Sequence, residues 1–555
     1  MAALQKLAKK PAVLWGGAAL LAVVAGVAWA YYWRVFYYLD ARVSPLLVTG
    51  GCVLACLAAV AMAGILHYGL RSFAAKAAAC IAVCGLLFAF ADPPMQTPDE
   101  SEHFLRTYAI SMGRFDFDGE RAYPDDVAAL YNAFPGAWVN AHTSAGAAED
   151  PDTGELTAYN TAGYALKQYG EDGRVQSIAD SFDAYFNDPD ATPVTEPVSF
   201  MVLPFVPGAI GMFAARLLGF GALGCLYGGR IANLAVYAAI CYLALRRAQK
   251  FRPAFVCVML LPLSLYMGAS LSYDSALLAC YYLMLAQLTR RTWTTKDAAL
   301  YAAACVWVNV AKPYINLLWA FLPLILLREA FCARGRRWHW TAGMLAASLA
   351  VTRLVEWYGT AFRYNYGEIG RMGGSDVNQL EQLLFILKNP LRYLAVLLGT
   401  LYENDFFIGQ LGLFGWKDLP IALISLMGPV LLLAGAVLSA GRGQSITRRR
   451  AIPLAAFAAV YAVGAMTAMY ITYTPVSMCA SWGCRRGIFC RCFCWPPCCW
   501  PPRCGGCSRR IFPPKRPNAG RCASLRPAQR LARCCCSSTI LSAPLPRSRC
   551  KPIPF

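Results

Sequence analysis

The chain has 555 residues, 58% of them hydrophobic and 15% charged, with a net charge of +20. A soluble domain carries roughly 25% charged residues, so the composition argues against one. It argues against nucleic-acid binding too, because the positive charge is concentrated: Met478–Phe555 alone holds 15 Lys or Arg and no Asp or Glu.

Apolar runs of about 20 residues can cross a bilayer core of roughly 30 Å. The first are Pro11–Tyr32 and Pro45–Leu66. No small-residue cleavage site follows the first run, which therefore reads as an anchor that stays. Lys and Arg gather in short cytoplasmic loops. Lys6, Lys9 and Lys10 accordingly place the N-terminus inside. Spans are expected at about 12–32, 45–66 and 74–91. The third ends at Asp92-Pro93-Pro94, where prolines stop a helix.

From Asp92 to Ser199 there are 20 acidic and 5 basic residues, which fits an external segment. It opens with Thr97-Pro98-Asp99-Glu100, the pattern of a helix start: Thr97 at the cap, Pro98 at the first position, Glu100 at the capping-box position. The helix is expected to run to about Gly113. Asp99, Glu100 and His103 then share one face. Two carboxylates and an imidazole where a helix leaves the bilayer can act as a general base or hold a divalent cation such as Mg or Mn. The alternative is that Asp99 and Glu100 only favour the positive end of the helix.

Beyond the acidic segment, basic clusters occur at Arg246–Arg252, Arg290–Lys296, Arg328–Arg337 and Arg442–Arg450. Placing all four inside predicts spans at about 230–245, 254–272, 275–289, 297–311, 314–328, 339–357, 420–440 and 452–472, for eleven crossings. Stretches 199–220 and 391–413 are left over and are expected to lie in the outer interface or re-enter from it. The expected organisation is thus 1–91 (three spans), 92–198 (acidic external loop), 199–477 (interfacial helices and eight spans) and 478–555 (tail).

Several other positions stand out. Asp274, in Ser272-Tyr273-Asp274, and Lys312, in Lys312-Pro313, fall at outer span ends. Asp274 is equally a helix cap, and Lys312 is either a phosphate partner or a snorkelling lysine. Arg230, beside Asn233, is an anion site or an interfacial anchor. Glu403 and Asp405 interrupt the second leftover stretch. His67 reads as interfacial. The tail holds 14 of the 24 cysteines in no zinc-like spacing. Its loss of acids and of hydrophobic periodicity points to translation in the wrong frame.

Pro93-Pro94-Met95-Gln96-Thr97-Pro98-Asp99-Glu100 with His103-Phe104 and Tyr108 resembles the signature of domain-of-unknown-function family 2142, bacterial multi-pass membrane proteins. Arg230-Ile231-Ala232-Asn233, Ser272-Tyr273-Asp274, Lys312-Pro313 and Asn389-Pro390 follow in that family's order, over about Ala91 to Pro475. The two N-terminal spans before the acidic motif depart from the family's usual single span. Its later GVQGRYFLP pattern is absent in frame. Codons compatible with Met478–Phe493 can be chosen so that another frame reads VRVVGVQARYFLPLL, in which only the first V, the G and the first L are forced.

The family in turn resembles membrane glycosyltransferases of GT-C architecture. The resemblance implies an all-α polytopic bundle with a long external loop after the third span, in the bacterial plasma membrane. It implies a polyprenyl-phosphate sugar as donor and an envelope polysaccharide, glycolipid or protein as acceptor. Asp99 or Glu100, beside His103, would serve as base or metal ligand, Arg230 and Lys312 would bind phosphate, and Asp274 and Asn389 are further candidates. A transporter or flippase of envelope precursors, or a non-catalytic assembly component, is the alternative. The charges gather at one surface and no internal repeat is evident, unlike coupled transporters.

Overall fold

The computed structural model describes parts of residues 16–31 and 50–70, then 71–116, 119–134, short stretches within 146–175, 178–195, 202–290, 292–312, 315–326, 336–361, 378–402, 413–415, 419–420 and 448–474. Residues 421–440 of the expected span 420–440, His67, Glu403, Asp405 and the tail lie outside these residues. The chain divides into two units, Met1–Ile488 and Phe489–Phe555, and all described residues belong to the first.

Helix α1, Phe73–Ala91, starts where Ser72 Oγ accepts from the Ala75 amide at 3.0 Å. Nineteen residues make about 28 Å of helix, a bilayer core's depth. It ends at Asp92 before the two prolines. Helix α2, Glu100–Ser111, follows, and the acidic segment adds α3, Asp125–Ala133, and α4, Ile178–Asn187. Between α3 and α4 lie short antiparallel ladders: strands Gly146–Glu149, Leu156–Tyr159 and Ala165–Leu166 form one, with Gly146 opposite Tyr159 and Tyr159 opposite Ala165.

Helix α5, Val206–Leu217, packs against the first half of α6, Ala222–Arg247. Small residues allow this: a Cβ on Gly211 would lie 2.2 Å from the Gly228 carbonyl oxygen. Such close backbone approach through small residues is how helices associate where the solvent is lipid. Helix α6 also runs antiparallel to α1. The Ala89 carbonyl and Asp92 meet Arg230, while Gly85 meets Leu234 one turn further along. Residues 222–229 therefore project beyond the end of α1, and α3 reaches them, with Asp126 Oδ2 accepting from the Ala222 amide at 2.9 Å.

After α6, the expected continuous span 254–272 is instead two short helices, α7 (Arg252–Met259) and α8 (Pro262–Gly268). Pro262 has no amide hydrogen to give and forces Leu261 out of the helical region, to φ −55 and ψ 140. Residues 269–273 are left as a loop. Helices α9 (Asp274–Leu288) and α10 (Thr295–Ala311) follow, close to expectation. Lys312 ends α10, and a 3-10 turn, Ile315–Leu317, leads into α11, Leu318–Leu326. Then come α12 (Arg336–Ala361), α13 (Gln379–Lys388), α14 (Pro390–Tyr402) and α15 (Arg448–Tyr473). The break at Asn389 bends the chain by 108°.

Among the described residues, three helices are long and apolar enough to cross a membrane, Phe73–Ala91, Ala222–Arg247 and Arg450–Ile471, or four with the bent pair. Shorter apolar helices, Asp274–Leu288 among them, pack beside them. The protein is an all-α polytopic membrane protein in its helical bundle. Its two chemical ends are distinct. Asp297 pairs with Arg247 at 3.0 Å and Arg290 at 3.3 Å, joining two basic clusters at one end. Arg230 lies 17 residues before Arg247, about 26 Å along the same helix, at the other.

Candidate functional site

At the Arg230 end four of the five family-like motifs converge on two neighbouring clusters. The first is sealed. Arg230 and Glu100 are both fully buried. Nε of Arg230 donates to Glu100 Oε1 at 2.9 Å and Nη2 to Oε2 at 2.5 Å, a bidentate pair. Nη1 donates to the carbonyls of Ala89 at 2.9 Å and Asp92 at 2.6 Å, and Nη2 also reaches the Pro93 carbonyl and Asp92 Oδ2. Every donor of the guanidinium is engaged within the chain. Tyr31 and Thr97 hydroxyls complete the shell on Asp92, at 2.8 and 2.7 Å. Burial raises the Asp92 carboxyl, Arg230 offsets part of this and Glu100 adds to it, leaving it at about 7.

This network explains a departure from the expected helix start. Thr97 does not cap α2: its hydroxyl goes to Asp92, and Glu100 reaches for Arg230 rather than back to the cap. Asp99 becomes the N-cap, with φ 59 and no side-chain cap bond, and Met95 also has a positive φ of 62. Two left-handed non-glycine residues in one short loop cost about 1–3 kcal/mol each. The Asp92–Asp99 loop holds them because Arg230 binds its carbonyls.

Asn233, one turn past Arg230 on α6, extends the scaffold. Its Nδ2 donates to the carbonyls of Ser270 at 3.0 Å and Ser272 at 3.2 Å, fixing the 269–273 loop. The Leu271 amide of that loop donates to Glu100 Oε1 at 3.0 Å. The same loop delivers Tyr273 and Asp274 to the second cluster.

The second cluster is half open. Lys312 Nζ lies 2.8 Å from Asp274 Oδ1 and 5.7 Å from the centre of the Tyr273 ring, with side-chain exposures of 47% for Lys312 and 27% for Asp274. His103, one turn past Glu100 on α2, sits between Phe205 and Tyr273, ring centres 5.3 and 5.0 Å away. Its Nδ1 is buried and has no hydrogen-bond partner among the described residues. Burial, with the charges of Arg106 and Lys312 against that of Asp274, pushes the imidazole down to about 3, so it is neutral at pH 7. Glu102 lies between Arg106, 3.7 Å away, and the charge of Asp99. Asp99 is half-buried, and its charge acts on Glu102.

Sequence reasoning named Glu100, Arg230, His103, Asp274 and Lys312, and the fold gathers all five at one end. It separates them by role: Glu100 and Arg230 satisfy each other, while Asp274 and Lys312 are partly exposed and His103 is buried against Tyr273. Asn389 is not gathered among them; it ends α13 and donates to the Phe385 carbonyl at 3.2 Å. Asp92 was missed, having been read only as a helix end. An arginine in an apolar run calls for an acidic partner, and Asp92 closes such a run, so the signal was present. Among the described residues no group of three or more His, Cys, Asp or Glu could hold a metal ion. Both Glu100 oxygens are taken by Arg230 and Leu271, which does not fit a metal ligand.

No curated protein and no solved structure matches the chain. One family model does, described as "Predicted membrane protein (DUF2142)", over residues 80–481. The matched region contains Arg230, Asn233, Asp274, Lys312 and the whole Asp92–Tyr108 motif, and ends three residues past Met478, where the composition changes. The chain belongs to DUF2142, a family of predicted membrane proteins.

Proposed function

We propose that this protein is a glycosyltransferase-like enzyme of the bacterial cell membrane. It moves a sugar from a polyprenyl-phosphate donor to an acceptor on the external side, an envelope polysaccharide, glycolipid or protein. The observation that carries the reading is the half-open cluster: a lysine held over an aromatic ring against a carboxylate, beside a neutral histidine, at the bundle end away from the Arg247–Arg290–Asp297 group.

In this reading Asp99 takes the proton of the acceptor hydroxyl. The acceptor oxygen forms a bond to the sugar's anomeric carbon as the bond from that carbon to the phosphate oxygen breaks. The electron pair leaves with the phosphate, whose charge Lys312 stabilises. General-base help of this kind is worth about 10²–10⁴ in rate. Asp274 keeps Lys312 in place before donor arrives, and His103, uncharged, offers Nδ1 without adding a competing charge. Glu100 and Arg230 act earlier in the chain of causes, by holding the Asp92–Asp99 loop.

The test is a panel of polyprenyl-phosphate sugars offered to the purified full chain, with release of polyprenyl phosphate as the readout. Consumption of a donor that falls at least about a hundredfold in Asp99→Asn and in Lys312→Ala is the expected result. An Asp99→Asn variant with full transfer, or a panel with no donor consumed, contradicts the reading.

A further inference from the structure

We infer that Tyr281, Asn316 and Tyr461 form a positioning triad for Lys312, which makes helix α15 part of the site. The inference rests on the reading of Lys312 given above, but its geometry is independent of it.

Asn316 is fully buried where the chain turns after Lys312. Its Nδ2 donates to the Val308 carbonyl at 2.9 Å and to the Lys312 carbonyl at 2.7 Å. Its Oδ1 accepts from Tyr281 of α9 and from Tyr461 of α15, both at 2.8 Å. An amide side chain has two donors and two acceptor lone pairs, and here all four are used. The two tyrosine hydroxyls are themselves 3.0 Å apart, so two hydroxyl protons serve three close oxygen contacts. Trp319 closes the group by stacking on Tyr281 at 5.3 Å and meeting Phe457 of α15 edge-on at 5.0 Å.

The triad matters for Lys312 because of spacing. Tyr281 lies seven residues after Asp274 on α9, two turns along and on the same face. Two rungs therefore join α9 to the turn: Asp274 to Lys312, and Tyr281 to Asn316. With the Lys312 carbonyl tied to Asn316 and the Lys312 ammonium tied to Asp274, both ends of the residue are fixed. Proline follows at 313, so position 313 offers no backbone N–H to help hold the turn. Asn316 ties the Val308 and Lys312 carbonyls instead, and Tyr461 anchors Asn316 from a helix 145 residues away.

The experiment measures acylation of Lys312 by an amine reagent in the detergent-solubilised full chain, by mass spectrometry. Lys296, exposed at the opposite end of α10, serves as the internal reference. Asn316→Ala is expected to change the Lys312-to-Lys296 rate ratio several-fold, and Tyr461→Phe to change it in the same direction by a smaller factor. A triad that only adds stability would lower the unfolding temperature and leave that ratio alone. An unchanged ratio in folded Asn316→Ala overturns the inference; should that variant not fold, an unchanged ratio in Tyr461→Phe does so. Decyl phosphate added to the wild-type chain separates the two readings. If it fails to protect Lys312 while the variants still shift the ratio, the phosphate role falls and the positioning role stands. Protection without any shift in the variants has the reverse meaning.

Discussion

Glu100 and His103 stand one turn apart on α2 and belong to opposite kinds of chemistry. Around Glu100 every polar atom named has a partner, and nothing charged is exposed. Around His103 one buried nitrogen has none, and a lysine and an aspartate reach a half-open side. Residue types alone do not distinguish the two. What distinguishes them is whether the chain itself supplies enough donors and acceptors. A saturated network fixes backbone; an unsaturated one is left with capacity for a ligand.

The largest effect that can break this comparison is expected at Arg230. Arg230→Met leaves Asp92 and Glu100 buried together with no cation, and removing one partner of a buried ion pair costs about 3–5 kcal/mol. Loss of folded protein on size-exclusion chromatography is the expected outcome, and Arg230→Lys should rescue poorly because a lysine cannot make the bidentate pair. A normal yield of Arg230→Met would show that the network is not structural. Next comes the contact that brings α5 against α6. Gly211→Val places a side chain where even a Cβ lies 2.2 Å from a backbone oxygen, so a loss of at least about 1–3 kcal/mol is expected in thermal unfolding.

The two regions also differ in the sign of their pH dependence. His103 titrates near 3 in the folded chain against an ordinary 6.5, so between those values only the unfolded chain takes the proton. Stability from this group falls as pH drops from about 6.5 towards 3. Asp92 titrates at about 7 against an ordinary 3.8, so the folded chain holds the proton in between. Stability from this group is present at low pH and is lost as pH rises towards about 7. Unfolding temperatures measured from about pH 7 to 5 should therefore slope less steeply downward in His103→Gln and more steeply downward in Asp92→Asn. Equal slopes in all three proteins would contradict the assignment. The smallest stability effect is expected at the open pair: Asp274→Asn should cost no more than about 1 kcal/mol, as for other exposed ion pairs.

Much of the bundle was legible in advance. Helices α1, α9 and α10 fall within one or two residues of the apolar runs, because long runs between polar caps leave little choice. The 254–272 run misled because its composition is continuous while Pro262 breaks its hydrogen bonding. The start of α2 misled for a different reason. The capping-box pattern is local, and it lost to a buried carboxylate that needed Thr97 and a buried arginine that needed Glu100. Asn316 and its tyrosines were invisible, since nothing in the local sequence links them and the contacts span up to 180 residues. The motifs were seen as separate strings; that Asn233 carries the 269–273 loop to Glu100 is a property of the packing.

The central claim is that Lys312 in the open cluster serves the chemistry and the sealed cluster holds the backbone. It is tested most directly by measuring unfolding temperature and polyprenyl-phosphate release on Lys312→Ala and Glu100→Gln side by side. The account predicts a near-native unfolding temperature with turnover lost for Lys312→Ala, and a clearly lowered unfolding temperature for Glu100→Gln. A folded Lys312→Ala that turns over donor at the wild-type rate, or a Glu100→Gln with native stability, would contradict it.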